Sequence, residues 1–465
     1  MAVQVGAGTS DTAMSAPVPA ATAETIAPEP AARPVARRRR LTGIAATLTA
    51  ANILGSATGF ITGPLLARAL GPAGRGDLAA IVVPLTLAPS LLGLGISTYA
   101  YRQLPAGRSV GDVLGSLGLP LLLIGLLAAS AAVPIADEFA DGRATVRAGL
   151  IVVFGLMPVL MVGNLLLTSL AALERWRRVV LGSVIPFLTA LLGIVTMYAI
   201  GDLTVATAAA ATIAGSVLCI APGAPLLWEG RLRFRRSLSG AGLRFGIKSW
   251  IGGLAATANG RLDQLLMITA VPPRELGLYA VATTIAGASG LVSGALAPPL
   301  MTRIASGETY LMSQAVRMML VSTVILNLVL ASVTPLLLAV LFGPQFRDAF
   351  PMVLILLAAQ VWLSGASVLS SALQADGAPL IPTIAELLAL VVTIGGLFAL
   401  LPPLGGIGAA IVSFAAYGTS FIVQVTIAHR RVGVALHEFL VPTRADARWA
   451  RRCVADVLMK VKLAS

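Results

Sequence analysis

The stretch Asn259-Gly260-Arg261-Leu262-Asp263-Gln264 sets polar side chains, two of them oppositely charged, inside an otherwise apolar run. An ionised group in hydrocarbon costs at least ~2.5–3.5 kcal/mol, so a charge held there reads as a functional site by default. The guanidinium of Arg261 offers several donors in a fixed fork, which suits phosphate or carboxylate oxygens. On a continuous helix at about 100° per residue, Thr257, Arg261 and Gln264 form one stripe and Asn259 with Asp263 another, roughly opposite. The two charges are then poor partners. Arg261 is expected to face a cavity and Asp263 to pack within its bundle. A second deep carboxylate, Glu386, lies about ten residues beyond Asp376-Gly377. It is available to pair with Arg261 when substrate is absent, or to take up a proton during a cycle. The competing reading is that these groups only hold helices together. Asn52, Asn164, Asn327 and Gln360 likewise read as interhelical hydrogen bonds. Arg68 and Asp77 flank a short turn, where capping or pairing across the turn competes with substrate contact.

Long apolar helices must carry these groups. The 465 residues are 57% hydrophobic and 11% charged, with a mean hydropathy of +0.90. No soluble domain hides that much apolar surface. The apolar runs are about 20 residues long, enough for a helix to cross a bilayer, whereas a barrel would show segments of ~10 alternating residues. The expected fold is therefore an all-α polytopic membrane protein. Twelve spans are predicted, at 41–67, 78–101, 113–135, 148–173, 179–200, 203–227, 246–271, 277–301, 318–342, 350–372, 379–401 and 405–428. Residues 1–40 read as a disordered tail rich in Ala, Pro and Thr, ending in Arg37–Arg40. A long basic loop, 229–245, then divides six spans (41–228) from six (246–430), and a basic tail occupies 431–465.

The net charge of +13 belongs to the membrane rather than to nucleic acid, because it falls in short loops and tails. With the N-terminus cytoplasmic, 26 of the 33 Lys and Arg fall on the inner side and five in outer loops. That asymmetry places both termini inside. The basic, amphipathic stretch at 234–250 is expected to lie along the inner leaflet, and 444–463 reads as a second surface helix or equally as a solvated tail. The outer loops are too short to hold the carboxylates and acceptor of a membrane glycosyltransferase. No GxxxxGK[ST] motif is present, since "GIKS" at 246–249 lacks the glycine loop, and His429 and His437 have no cysteines at metal spacing. No cofactor is expected. Transport would draw on an ion gradient, the membrane potential or substrate supply.

Two stretches about 200 residues apart are alike: "LLARALGPAGRGDLA" (65–79) and "LLMITAVPPRELGLYA" (265–280). Each ends a span with Leu-Leu, turns at Pro and restarts at Arg, Gly and Ala. Two facing halves with a substrate path between them are a common transporter plan. Gly55, Gly59 and Gly63 form GxxxGxxxG in the first span, a pattern of close helix packing.

The segments "GPLLARALGPAGRGDLAAIVVPL" (63–85), "RLDQLLM" (261–267) with "ELGLYAVATTIAG" (275–287), and "LFGPQFRDAFPMVLILLAAQ" (341–360) followed by "LSSALQADGAP" (369–379) resemble the multidrug/oligosaccharidyl-lipid/polysaccharide exporter superfamily. The likeness is strongest to its polysaccharide flippases. The resemblance implies two six-helix lobes around a central cavity. It also implies movement of undecaprenyl-diphosphate-linked sugars from the inner to the outer leaflet, with a cation or proton as coupling partner and other polysaccharide-assembly proteins as neighbours. Peptidoglycan-precursor flippases of the superfamily usually have fourteen spans and several cavity arginines in the first lobe. This chain has twelve, and no charge in its first span before Arg68. Many drug antiporters place carboxylates inside the lobes, where this first span offers Asn52. The alternatives are thus a drug or metabolite antiporter on the same fold and, from another class, an enzyme of polysaccharide assembly.

Overall fold

A computed structural model describes residues 34–290, 311–378 and 380–441. The N-terminal tail up to 33 and the surface helix expected at 444–463 lie outside these residues, as does the side chain of Asn52. The chain divides into two units, Met1–Gly43 and Ile44–Ser465, and apart from the start of the first helix all that follows concerns the second. Among the described residues every regular element is a helix.

Six helices are long and apolar enough as they stand to cross a membrane. Two of these are far too long to do so once. Helix α1 (Pro34–Leu92) has 59 residues and the helix Leu380–Val432 has 53. At 1.5 Å per residue each would measure roughly 80–90 Å, against a hydrocarbon core of about 30 Å. Each is interrupted at one glycine with positive φ, Gly71 (φ 67°) in α1 and Gly405 (φ 52°) in the other. Only glycine enters that region without steric cost. The second reversal is a tight hairpin: Gly396 packs against Val412, and Gly408 against the carbonyl of Leu400.

Between these lie α2 (Val110–Ser130), α3 (Ala132–Ala140), α4 (Ala144–Gly155), α5 (Met157–Ala172), α6 (Trp176–Ala199) and α7 (Val205–Leu218). Helices α4 and α5 form one span bent by 49°, with Pro158 at the start of α5. Then come α8 (Arg236–Asn259), α9 (Leu262–Ala270), α10 (Pro273–Ala286), α11 (Leu311–Leu337), α12 (Phe350–Ala375) and α13 (Leu380–Val432). With the bent α4–α5 pair counted as one span, up to seven spans among the described residues are long and apolar enough to cross a membrane. Large apolar side chains left on the exterior, such as Leu127 and Phe398 at 71% and 72% exposed, form the surface that meets acyl chains.

The basic stretch around 234–250 packs on protein along one side. Residues 231–235 are extended, and α8 starts at Arg236, ten residues before the predicted span. The extended strap runs across the first turns of α2. Arg233 N–H donates to Gly111 O (3.3 Å), Arg235 N–H to Ser116 Oγ (2.9 Å), and Arg235 Nε to Asp112 Oδ2 (2.8 Å). A Cβ at Gly111 or Gly115 would stand 2.3 or 2.7 Å from strap carbonyls, so the seam needs glycine at both. Beyond the strap, Gly246 of α8 packs on the backbone of Leu94–Ile96, and Trp250 Nε1 donates to Ser90 O (3.1 Å). Gly242 and Gly246 let one side of this stretch pack on protein, while Phe234, Leu243 and Ile247 stay exposed.

At the opposite end of the bundle the two similar turns meet each other. A Cβ on Gly76 would fall 1.8 Å from Pro273 O, and a Cβ on Gly277 would fall 1.8 Å from Pro72 O. The same 201 residues separate both pairs. The contact is reciprocal, as a local two-fold relation between repeats requires. Of the GxxxGxxxG glycines in α1, Gly55 abuts the ring of Phe187 and Gly63 touches Phe342, while Gly59 has nothing near it. Only part of that motif serves close packing.

Candidate functional site

The helix carrying Arg261 is not continuous, which parts Gln264 from Arg261 but leaves Asn259 and Asp263 together on the buried side. Helix α8 stops at Asn259 and α9 begins at Leu262, with Arg261 at φ −145°, ψ −10° as the N-cap of α9. Asn and Gly at 259–260 are poor helix formers, and Asp263 rewards the restart: its Oδ1 accepts the N–H of Gln264 (2.7 Å) in the first turn of α9, where the helix dipole favours an anion. The break turns neighbours to different sides. Asn259, Asp263 and Gln264 are 4%, 4% and 6% exposed, while Arg261 is exposed.

The buried trio joins two hydrogen-bond systems. In one, Asn259 Nδ2 donates to Glu386 Oε2 (2.8 Å) and to Glu386 O (3.0 Å), and Thr393 Oγ1 donates to Asn259 Oδ1 (3.0 Å). Ser420 Oγ donates to Glu386 Oε1 (2.7 Å), and Gln424 and Ser370 extend the chain (3.0 and 2.9 Å). In the other, Asp263 Oδ2 accepts from Tyr279 OH and from Ser413 Oγ (3.3 Å), while Gln264 Nε2 donates to Thr283 Oγ1 (3.2 Å). Tyr417 OH donates to Asn259 O (3.4 Å) between the two systems. Every member comes from α8, α9, α10, α12 or α13. Neutral donors saturate both carboxylates. The expected Arg261–Glu386 pair does not form: Glu386 takes Asn259 and Ser420 instead.

Arg68 and Asp77 are engaged elsewhere. Arg68 donates to the carbonyls of Val340 and, at 2.9 Å, Leu341, where α11 ends in a π turn (Leu338–Phe342). A guanidinium there satisfies terminal carbonyls and suits the dipole. Asp77 pairs with Arg143 Nη1 (2.8 Å). Arg143 also reaches Phe139 O (3.2 Å) and Ile268 O (3.4 Å), tying α3 to α9. Both residues thus brace the end where Gly76 meets Gly277. Asn327 fits its expected role, donating to Leu357 O across helices (2.6 Å).

Sequence reasoning missed Tyr279, Thr283, Thr393, Ser413, Tyr417, Ser420 and Gln424. A signal existed. Residues 413, 417, 420 and 424 follow helical spacing and draw one polar stripe through an apolar span. Among the described residues no cluster of three or more His, Cys, Asp or Glu could hold a metal ion.

Comparison with known proteins gives the arrangement its setting. A search of curated protein sequences finds no relative. Among solved structures, the chain is similar to the lipid II flippase MurJ in an inward closed conformation. Identity is 14%, coverage is 84% of this chain and 89% of that one, and the TM-score is 0.68. It is also similar to a multidrug resistance MATE family transporter of the MOP superfamily in an inward-facing conformation (17% identity, 82% and 96% covered, TM-score 0.65). An outward-facing MATE transporter of that superfamily superimposes less closely (16% identity, 84% and 95% covered, TM-score 0.55). These likenesses establish the fold. A profile of the polysaccharide biosynthesis protein family matches residues 44–305, more than half the chain. This all-helical, multi-pass membrane protein, with its paired turns and its polar network in one half, belongs to the polysaccharide biosynthesis protein family and has the fold of the multidrug/oligosaccharidyl-lipid/polysaccharide exporters.

Proposed function

We propose that this chain moves a polyprenyl-diphosphate-linked oligosaccharide from the inner to the outer leaflet of a bacterial plasma membrane, for cell-surface polysaccharide assembly. It acts as a non-enzymatic secondary transporter, by alternating access between a lobe at 41–228 and a lobe at 246–430. The observation that carries this reading is the break at Gly260–Arg261, which leaves one guanidinium exposed while its polar neighbours are buried and mutually satisfied. A free cation with forked donors suits a diphosphate. It disfavours the cationic compounds that a drug antiporter on this fold would carry. Asp263 and Glu386, hydrogen-bonded by hydroxyl and amide groups, are the groups available to exchange a proton or cation during the cycle.

The bias of Lys and Arg orients the chain with both termini cytoplasmic. The Gly76–Gly277 contact then closes the outer side, braced by Arg68 and by the Asp77–Arg143 pair, and the strap lies inside.

Deleting the gene tests the reading. Surface polysaccharide should be lost while lipid-linked units accumulate, whereas altered toxin sensitivity alone would point to an antiporter. Arg261→Ala should abolish export at normal protein level. Wild-type export in that variant removes Arg261 from the site.

A further inference from the structure

The inference rests on the transport reading and concerns the apolar part of the same substrate. A cavity of about 230 Å3 lies between α1, α3, α4 and α9, and all ten residues lining it are apolar, among them Leu87, Leu91, Phe139, Leu150, Phe154 and Leu265. A void walled by Leu, Ile and Phe stays dry and accepts apolar ligands. Nine of the ten come from the first half of the chain, and only Leu265 comes from the second. Leu265 stands one helical turn beyond Arg261, whose carbonyl accepts the Leu265 N–H (3.1 Å). A forked cation and a dry slot thus adjoin on one short helix. That pairing is the shape of an amphiphile with an anionic head joined directly to an apolar chain.

We propose that this cavity holds the polyprenyl chain of the lipid carrier, at the units next to its diphosphate, with Arg261 on the diphosphate itself. A soluble anion would use the arginine and leave the slot empty. A docked protein segment would bring backbone polar groups that no lining residue can satisfy. Because one wall belongs to the other half of the chain, any shift of α9 against α1 changes the width of the slot. The prenyl chain therefore has different affinity for the two states of the protein, the condition under which a ligand drives a conformational change.

The test uses the full chain in lipid nanodiscs, titrated with a polyprenyl diphosphate and separately with inorganic diphosphate. Ala88, which also lines the slot, is replaced by the largest side chain. Ala88→Trp should weaken polyprenyl diphosphate binding by about tenfold or more and leave inorganic diphosphate binding unchanged, whereas Arg261→Gln should weaken both. Should Ala88→Trp fail to fold, benzoylphenylalanine in place of Phe154, close to it in shape, should crosslink to the bound polyprenyl diphosphate on illumination. Undiminished polyprenyl diphosphate binding by folded Ala88→Trp, or no crosslink from position 154 while the chain binds that lipid, overturns the cavity assignment and leaves the transport reading standing. No binding of polyprenyl diphosphate by the unmodified chain overturns the transport reading and the slot with it.

Discussion

Two halves that meet through equivalent turns have opposite interiors. The buried polar side chains on α1–α7 are few: Thr58, Thr62, Asp112, Ser116 and Ser169. Both threonines only return a hydrogen bond to their own helix one turn back (2.9 Å each). The same half supplies nine of the ten residues that line the apolar cavity. The second half instead buries Asn259, Asp263, Gln264, Thr393, Ser413, Ser420 and Gln424 in two adjacent hydrogen-bond systems. A buried polar network is costly unless complete, and when complete it fixes one arrangement. An apolar interior tolerates a void and repacks. The comparison teaches that a repeated topology can carry two kinds of interior, hydrogen-bonded side chains in one half and an apolar cavity in the other.

The largest effect is expected where the halves are alike. Gly76→Val and Gly277→Val each thrust a side chain into a backbone carbonyl already at contact distance, so each should abolish export. Cysteine accessibility at Ala73, on the turn between the spans, should rise in both. If only one of the two substitutions had that outcome, the symmetry of the contact would be lost as an argument. The next effects separate the halves by mechanism. Leu150→Ala enlarges the apolar void and should lower stability by about 3 kcal/mol. Asn259→Leu leaves Glu386 and Thr393 short of a partner and should cost about 2 kcal/mol. Thermal unfolding in detergent reads both. Soaking in a small apolar ligand should rescue the first and not the second.

The smallest effect lies at the strap, outside both interiors. The hydrogen bond from Arg175 holds the Glu229 carboxyl below its usual 4.5, partly opposed by desolvation. A carboxyl lowered on folding contributes stability above its unfolded value, and that contribution is lost as the pH falls through the lowered one. The melting temperature should therefore drop slightly more between about pH 5 and pH 3 in the wild type than in Glu229→Gln.

The architecture was legible because membrane spans are written in long apolar runs, and because the Pro-Gly turns at 72–76 and 273–277 repeat openly. Arg261, Asp263 and Glu386 stood out for the cost of burying charge. Their geometry did not. A single Asn-Gly step at 259–260 broke the helix and parted Gln264 from Arg261, while Asn259 and Asp263 stayed together on the buried side. Hydropathy misjudged the start of α8 for a different reason. Residues 236–245 are too polar to count as a span, yet Gly242 and Gly246 let them pack on Leu117 and the Leu94–Ile96 backbone. The serines and tyrosines of α13 went unread because each alone is ordinary in a membrane helix, and only their spacing carries meaning.

The seam between residues 231–235 and the first turns of α2 bears on how the molecule moves. A connector pinned by backbone bonds and two glycines has no slack to give, so it acts as part of the scaffold. Displacement of one copy against the other must be absorbed within α8, where Gly252 and Gly253 adjoin. Severing the chain ahead of the strap, near residue 230, should therefore yield two fragments that reassemble when made together, each bringing half of a ready-made joint.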